Sequence, residues 1–297
     1  MRVRAPRPSY VAMASVTPRP ATVLDFLCIR FRAIGRERWE DRMRRGLVRA
    51  EDGAPIDAQT PFREGARISY FREVLDEPEP LEEAVVLHEG DAFVIADKPH
   101  GMPVVPGGEY LGRSLVYRLA KSLGDPELAP AHRLDLDTAG LVLLVRRARD
   151  RGLFHRLFAE RSIQKGYRAI SSGEPPVDRY WRVRSRIVAG NAGARRQSIA
   201  DPGGDSVSDV YVDRAARGHV RFLVRPETGR QHQVRLHLAG IGYPIVGDTR
   251  YPERRWPQPG EPPLQLLAAE LSFRDPTTGR RHCFESSRRL GLDSLFE

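Results

Sequence analysis

The chain has 297 residues, 40% of them hydrophobic and 8% aromatic; that is enough to bury a core in one large or two unequal domains, and it excludes wholesale disorder. Lys and Arg outnumber Asp and Glu by 48 to 39, a net charge of +9, which fits a polyanionic partner, nucleic acid before an acidic membrane surface. The aliphatic run at residues 141–145 is far short of the ~20 apolar residues of a membrane-spanning helix, and Cys28 and Cys283 form neither a metal-type spacing nor a disulfide framework, which fits a reduced, cytoplasmic compartment.

Residues 1–20, rich in Arg and carrying Pro6, Pro8, Pro18 and Pro20, predict a flexible tail rather than a signal peptide. From 21 to 75 the pattern is a small basic module. Val23, Leu24, Phe26, Leu27 and Ile29 predict one helix, and Trp39 to Leu47 a second that Gly46 can end. Residues 47–49 and 66–70 predict short strands. The basic residues of the module cluster at Arg30, Arg32, Arg36, Arg38, Arg42, Arg44, Arg45 and Arg49; such a stripe suits a phosphate backbone, or is a solvated charged face. Two helices and a small sheet carrying it resemble the small RNA-binding module named after ribosomal protein S-four, with Arg42 and Arg45 among its RNA-binding candidates.

The acidic, Pro-bearing stretch 76–83 predicts an exposed linker. Beyond it, residues 84–87 and 92–96 predict one hairpin, and 206–212 with 219–224 another around Arg217 and Gly218; helices intervene near 114–123 and 152–161. The class is α+β, with a mostly antiparallel central sheet and flanking helices over residues 84–297.

The most informative stretch is His132-Arg133-Leu134-Asp135-Leu136-Asp137-Thr138-Ala139-Gly140. In an extended chain Arg133, Asp135 and Asp137 share a face, with Leu134 and Leu136 on the other. A guanidinium beside a carboxylate favours its charged form, and such a carboxylate serves as a nucleophile, or as half of a structural ion pair. In the second stretch Thr228 is a natural N-cap, with Arg230 at the mouth of the helix that follows and Arg235 facing a cleft. His232 and His237 are five apart, not the i, i+4 pair of a helical metal site; a hydrogen-bonding His is expected and no metal. Lys165 and Tyr167 share a strand face, where Tyr167 can stack on a base, move a proton, or simply fill a half-buried position. Residues 244–251 read as a structural strand-to-loop turn.

His132-Arg133-Leu134-Asp135 with Thr138 and Gly140 resembles the central motif of the RluA-like family of pseudouridine synthases. Asp97-Lys98-Pro99-His100-Gly101-Met102, Lys165 with Tyr167, residues 228–237, and Gly247-Asp248 with Tyr251 match in family order across roughly residues 85–275. The chain departs from that pattern at Ala139, where Ser is usual, and at Leu267 beside Leu266, where His is frequent. The resemblance implies isomerisation of uridine to pseudouridine in rRNA or tRNA, with no cofactor and no metal. It implies Asp135 as catalytic carboxylate, Arg235 paired with it, Arg133 filling the space of the flipped base, and Tyr167 on the uracil. Leu266 supports the pocket, while Lys165, Arg230 and His232 face RNA. No membrane association and no obligate protein partner is evident. The rival readings are a metal-dependent phosphoester hydrolase using Asp135, Asp137 and the histidines, and a noncatalytic RNA-binding protein.

Overall fold

The computed structural model describes residues 2–4, 8–75, 77, 79, 82–108, 110–176, 178–189, 195–198 and 204–297. They divide into two compact units, residues 1–77 with 108–112, and residues 78–107 with 113–297. Residues 76, 78, 80 and 81 of the expected linker lie outside the described residues.

In the first unit, β1 (Arg2–Arg4) pairs antiparallel with β5 (Glu73–Leu75), and β2 (Ser9–Ala12) and β3 (Val48–Ala50) flank β4 (Arg67–Tyr70). Paired strands thus occupy residues 2–4 and 9–12 of the expected flexible tail. Ser9 to Ala12 alternate partly buried and exposed as they pair with Tyr70 to Arg67. Between these strands lie α1 (Val23–Arg30) and α2 (Arg36–Arg44). Thr22 and Asp25 close a capping box at the start of α1, satisfying two amides with no partner inside the helix. Trp39, fully buried, packs against Phe31 and Tyr70.

The basic stripe is only partly presented to solvent. Arg42 is buried, lies 4.9 Å over the Trp39 ring and donates to the Glu73 carbonyl; it is a core contact, because position i+3 from Trp39 faces inward. Arg45 is held by Glu73 and Asp41. Arg30, Arg32, Arg38 and Arg44 are exposed.

In the second unit a single sheet runs through β6 (Val85–Glu89), β7 (Phe93–Lys98), β9 (Ala139–Val145), β15 (Leu266–Arg274), β10 (Gln164–Ser172), β14 (His219–Pro226), β13 (Ser206–Ala216), β11 (Tyr180–Ala189) and β12 (Arg195–Ser198). The short β8 (Ala129–Pro130) pairs with β9, and β16 (Arg281–Glu285) with β15. Among the described residues every strand pairing is antiparallel except β9 with β15, which meet in parallel through Leu267 with Ala139 and Ala268 with Gly140. One edge of β15 is thus divided: β16 takes residues 270–274 and β9 takes 267–268.

All seven residues of β9 are buried, which explains its unbroken apolar run. Val142 and Leu144 pack toward α3 (Leu115–Ser122), and Leu141 and Leu143 pack with Phe154 of α4 (Arg151–Ala159). Gly140 cannot be replaced without movement: its φ is +114°, and a Cβ there would lie 2.2 Å from the Ala268 carbonyl oxygen. Helix α5 (Gln233–Gly240) lays Val234 and Leu238 on Phe222 and Val224 of β14.

Candidate active site

The chain from β8 to β9 does not stay extended. Arg133 points to solvent and Leu134 into the core, as alternation predicts, but Leu136 and Asp137 form a turn closed by Thr138 N donating to the Asp135 carbonyl at 3.2 Å. The expected single face of Arg133, Asp135 and Asp137 is broken there. The turn is strapped from below. Lys98 Nζ, fully buried, donates to the carbonyls of Pro99, Met102 and Leu136 at 2.9, 2.7 and 3.1 Å, and burial pushes its pKa down to about 7. Gly101 N also donates to Leu136 O, and His100 Nδ1 to the Asp137 carbonyl at 2.6 Å. His132 accepts from Leu143 N at 3.1 Å and stacks on Phe158.

This scaffold leaves the Asp135 side chain 22% exposed, with a different partner at each oxygen: Arg235 Nη1 is 3.6 Å from Oδ2 and His232 Nε2 is 3.6 Å from Oδ1. Arg235 is itself buried. Its Nε and Nη2 donate to Asp248 at 2.8 and 2.6 Å, so the guanidinium is clamped on one side and offers Nη1 to Asp135 on the other. Asp248, also buried, accepts further from Arg250 N and Tyr251 N. The Tyr251 hydroxyl shares a 2.7 Å hydrogen bond with His232 Nδ1, and burial pushes the imidazole pKa below its ordinary value.

Tyr167 enters from β10. The pairing of β10 with β15 steps from Gly166–Glu270 to Tyr167–Ala268, so Ala269 is an extra residue and the bulge aims the Tyr167 ring. Burial pushes the Tyr167 hydroxyl pKa up, and the charge of Asp135 acts in the same direction; the phenol stays protonated at neutral pH.

Several sequence expectations need revision. Thr228 is not the N-cap of α5: its hydroxyl donates to Gln233 Oε1 and its oxygen accepts from Val207 N, while His232, at φ +60°, occupies the cap position. Lys165 donates to the Thr228 carbonyl at 2.8 Å and is an anchor for that loop; burial lowers its pKa to about 8. Arg230 is exposed but paired with Asp205. Leu266 lies in the core with Val234 and Leu238, in a cluster against which Tyr167 packs. His237 is buried against Ser185 at 2.9 Å, so the two histidines do not converge. Among the described residues, no three His, Cys, Asp or Glu side chains gather to hold a metal.

Sequence reasoning set aside Asp248 and Tyr251 as parts of a turn and gave Lys98 no role. The available signal was Gly247, whose φ of +76° and close approach to Pro263 (a Cβ would lie 2.5 Å from its carbonyl oxygen) exclude a side chain and put the next residue, Asp248, inside.

A family model described as RNA pseudouridylate synthase matches residues 92–240, which span the strap, the Asp135 turn, Tyr167 and Arg235. An uncharacterised RNA pseudouridine synthase of Synechocystis sp. is 31% identical over 84% of both chains. The chain belongs to the RluA-like family of RNA pseudouridine synthases. The dual-specificity RNA pseudouridine synthase RluA of Pasteurella multocida is 35% identical over 65% of this chain and 88% of its own. Ribosomal large subunit pseudouridine synthase D of Pseudomonas aeruginosa is 30% identical over 79% of this chain and 78% of its own. The fold is shared with human RNA pseudouridylate synthase domain containing 1, at a TM-score of 0.57 and 23% identity over 74% of this chain and 96% of that one. The enzyme is an isomerase that converts uridine to pseudouridine in RNA. None of its helices among the described residues is long and apolar enough to cross a membrane.

Proposed function

We propose that Asp135 is the catalytic carboxylate of this pseudouridine synthase, acting on uridines of structured rRNA or tRNA. One observation carries the assignment: Asp135 is a partly exposed acid with a buried guanidinium on one oxygen and a buried imidazole on the other. The reaction needs no redox change. The bond from uracil N1 to ribose C1′ breaks, the ring turns, C5 bonds to C1′, and the C5 proton moves to solvent while N1 regains one.

The target nucleotide leaves its stack to reach Asp135. Arg235, immobilised by Asp248, fixes the carboxylate in place. The Tyr251 hydroxyl, bonded to His232 Nδ1, holds the imidazole with its Nε2 edge toward Asp135. Tyr167, neutral, offers its ring as a stacking surface for the uracil. Arg133, exposed two residues before Asp135, enters the gap left in the RNA. The exposed arginines of the first unit add affinity that does not depend on sequence. The aspartate serves by attack on the sugar or base, or by assisting proton removal from the sugar.

The test is Asp135→Asn. Pseudouridine formation in RNA from cells lacking the enzyme should fall by at least about 10³-fold, with RNA affinity kept within about twofold. Substantial residual turnover removes the assignment, and mapping the pseudouridines that the wild-type enzyme restores names the RNA.

A further inference from the structure

Residues 252–263 form a loop rooted at both ends on the active site. It leaves from Tyr251, whose hydroxyl meets His232, and returns through Pro262 and Pro263, whose carbonyls pass against Gly247 next to Asp248. The loop is ordered by its own contacts. Arg255 holds Glu261 with two donors, Glu261 accepts from Gln258 N at 3.0 Å, and Arg255 N donates to the Thr249 carbonyl at 3.0 Å. From this frame Trp256 projects with 81% of its surface exposed, more than any other large hydrophobic residue described.

An indole left in water by a preorganised loop is poised to bury its surface on a ligand. Its surroundings identify the ligand. Among its exposed neighbours Glu253, Arg254, Arg255 and Gln258 are interspersed with single prolines, and no other large apolar side chain of the loop joins the indole to make a contiguous patch of the kind a protein interface core uses. Arg250 and Arg254 are exposed, and neither forms an ion pair with a described residue. Arg250 is close enough for its charge to oppose protonation of His232 beside Asp135. One exposed flat aromatic face on a loop that also carries exposed Arg254, with exposed Arg250 just before it, matches an unpaired base and its flanking phosphates.

We propose that residues 252–263 are an RNA-docking loop in which Trp256 stacks on an unpaired base near the target uridine, with Arg250 and Arg254 on adjacent phosphates. This rests on the assignment of the chain as an RNA-modifying isomerase. The test uses the full chain, with Trp256→Ala and Trp256→Phe. In single-turnover pseudouridine formation on total RNA from cells lacking the enzyme, Trp256→Ala should raise the half-saturating enzyme concentration about tenfold with the limiting rate kept within about twofold, and Trp256→Phe should restore most of the loss. Poly(U) should quench the share of indole emission that Trp256→Phe removes, which separates Trp256 from Trp39 and Trp181. Unchanged half-saturation in Trp256→Ala, or emission indifferent to poly(U), overturns the proposal and turns the indole over to a protein partner. If wild-type enzyme forms no pseudouridine yet poly(U) still quenches Trp256, the stacking stands and the isomerase reading falls.

Discussion

His132 sits three residues from the proposed catalytic acid, yet its contacts are structural. Its Nε2 accepts from Leu143 N, which only a neutral imidazole can do, and burial pushes its pKa down to about 3. The unfolded chain takes up this proton near pH 6.5, whereas the folded chain refuses it until about 3, so stability is lost as pH falls through that window. At pH 5 the loss from this one group is about 2 kcal/mol. Urea unfolding at pH 7 and pH 5 should show a smaller acid-induced loss in His132→Gln than in the wild type; equal losses dispose of the account. The approach of Arg235 to Asp135, 3.6 Å apart, was legible through the family resemblance of the two stretches rather than through their spacing. Asp248 was not, because what makes it important is a bidentate contact with a residue 13 positions earlier, and nothing local distinguishes that from a turn aspartate.

The strands that position these side chains depend on close backbone approaches. Gly140 lets β9 meet β15 where a Cβ has no room, and the bulge at Ala269 turns Tyr167 toward the acid. Gly140→Ala should therefore cost about 2–3 kcal/mol through positive φ and overpacking, read as a lowered melting temperature. A variant that melts with the wild type refutes the close-contact argument. Both hairpins and the helices near 23–30, 115–122 and 151–159 followed from periodicity and turn residues, since their cores are local patterns. The start of α5 did not, because Thr228 spends its hydroxyl on Gln233 and Val207 before the helix begins. Arg42 was misplaced for an avoidable reason: its spacing from Trp39 already put it on the inner face of α2, and the charge alone argued for the surface.

Across the chain, the excess of positive charge is smaller in effect than its count, because many guanidiniums are already engaged by carboxylates. Arg30, Arg32 and Arg38 remain available on the first unit. Changing all three to Gln should weaken RNA binding and flatten the plot of log affinity against log salt by about 2, measured by filter binding; an unaltered slope argues against RNA contact by this unit. The two-pair parallel contact between β9 and β15 has a different consequence. Asp135 and Lys98 belong to the β7–β9 side of it, whereas Tyr167, Arg235 and Asp248 belong to the other, and apolar clusters bridge the two: Leu141 and Leu143 pack with Leu271 and Phe273, and Ala139 with Leu267 and Ala269. The short ladder is thus backed by side-chain packing that keeps the two halves of the candidate site in register. Mild urea should therefore leave acid and cation together until that unit itself unfolds, so that activity and its circular dichroism are lost at the same concentration; activity lost well before the backbone signal refutes the account.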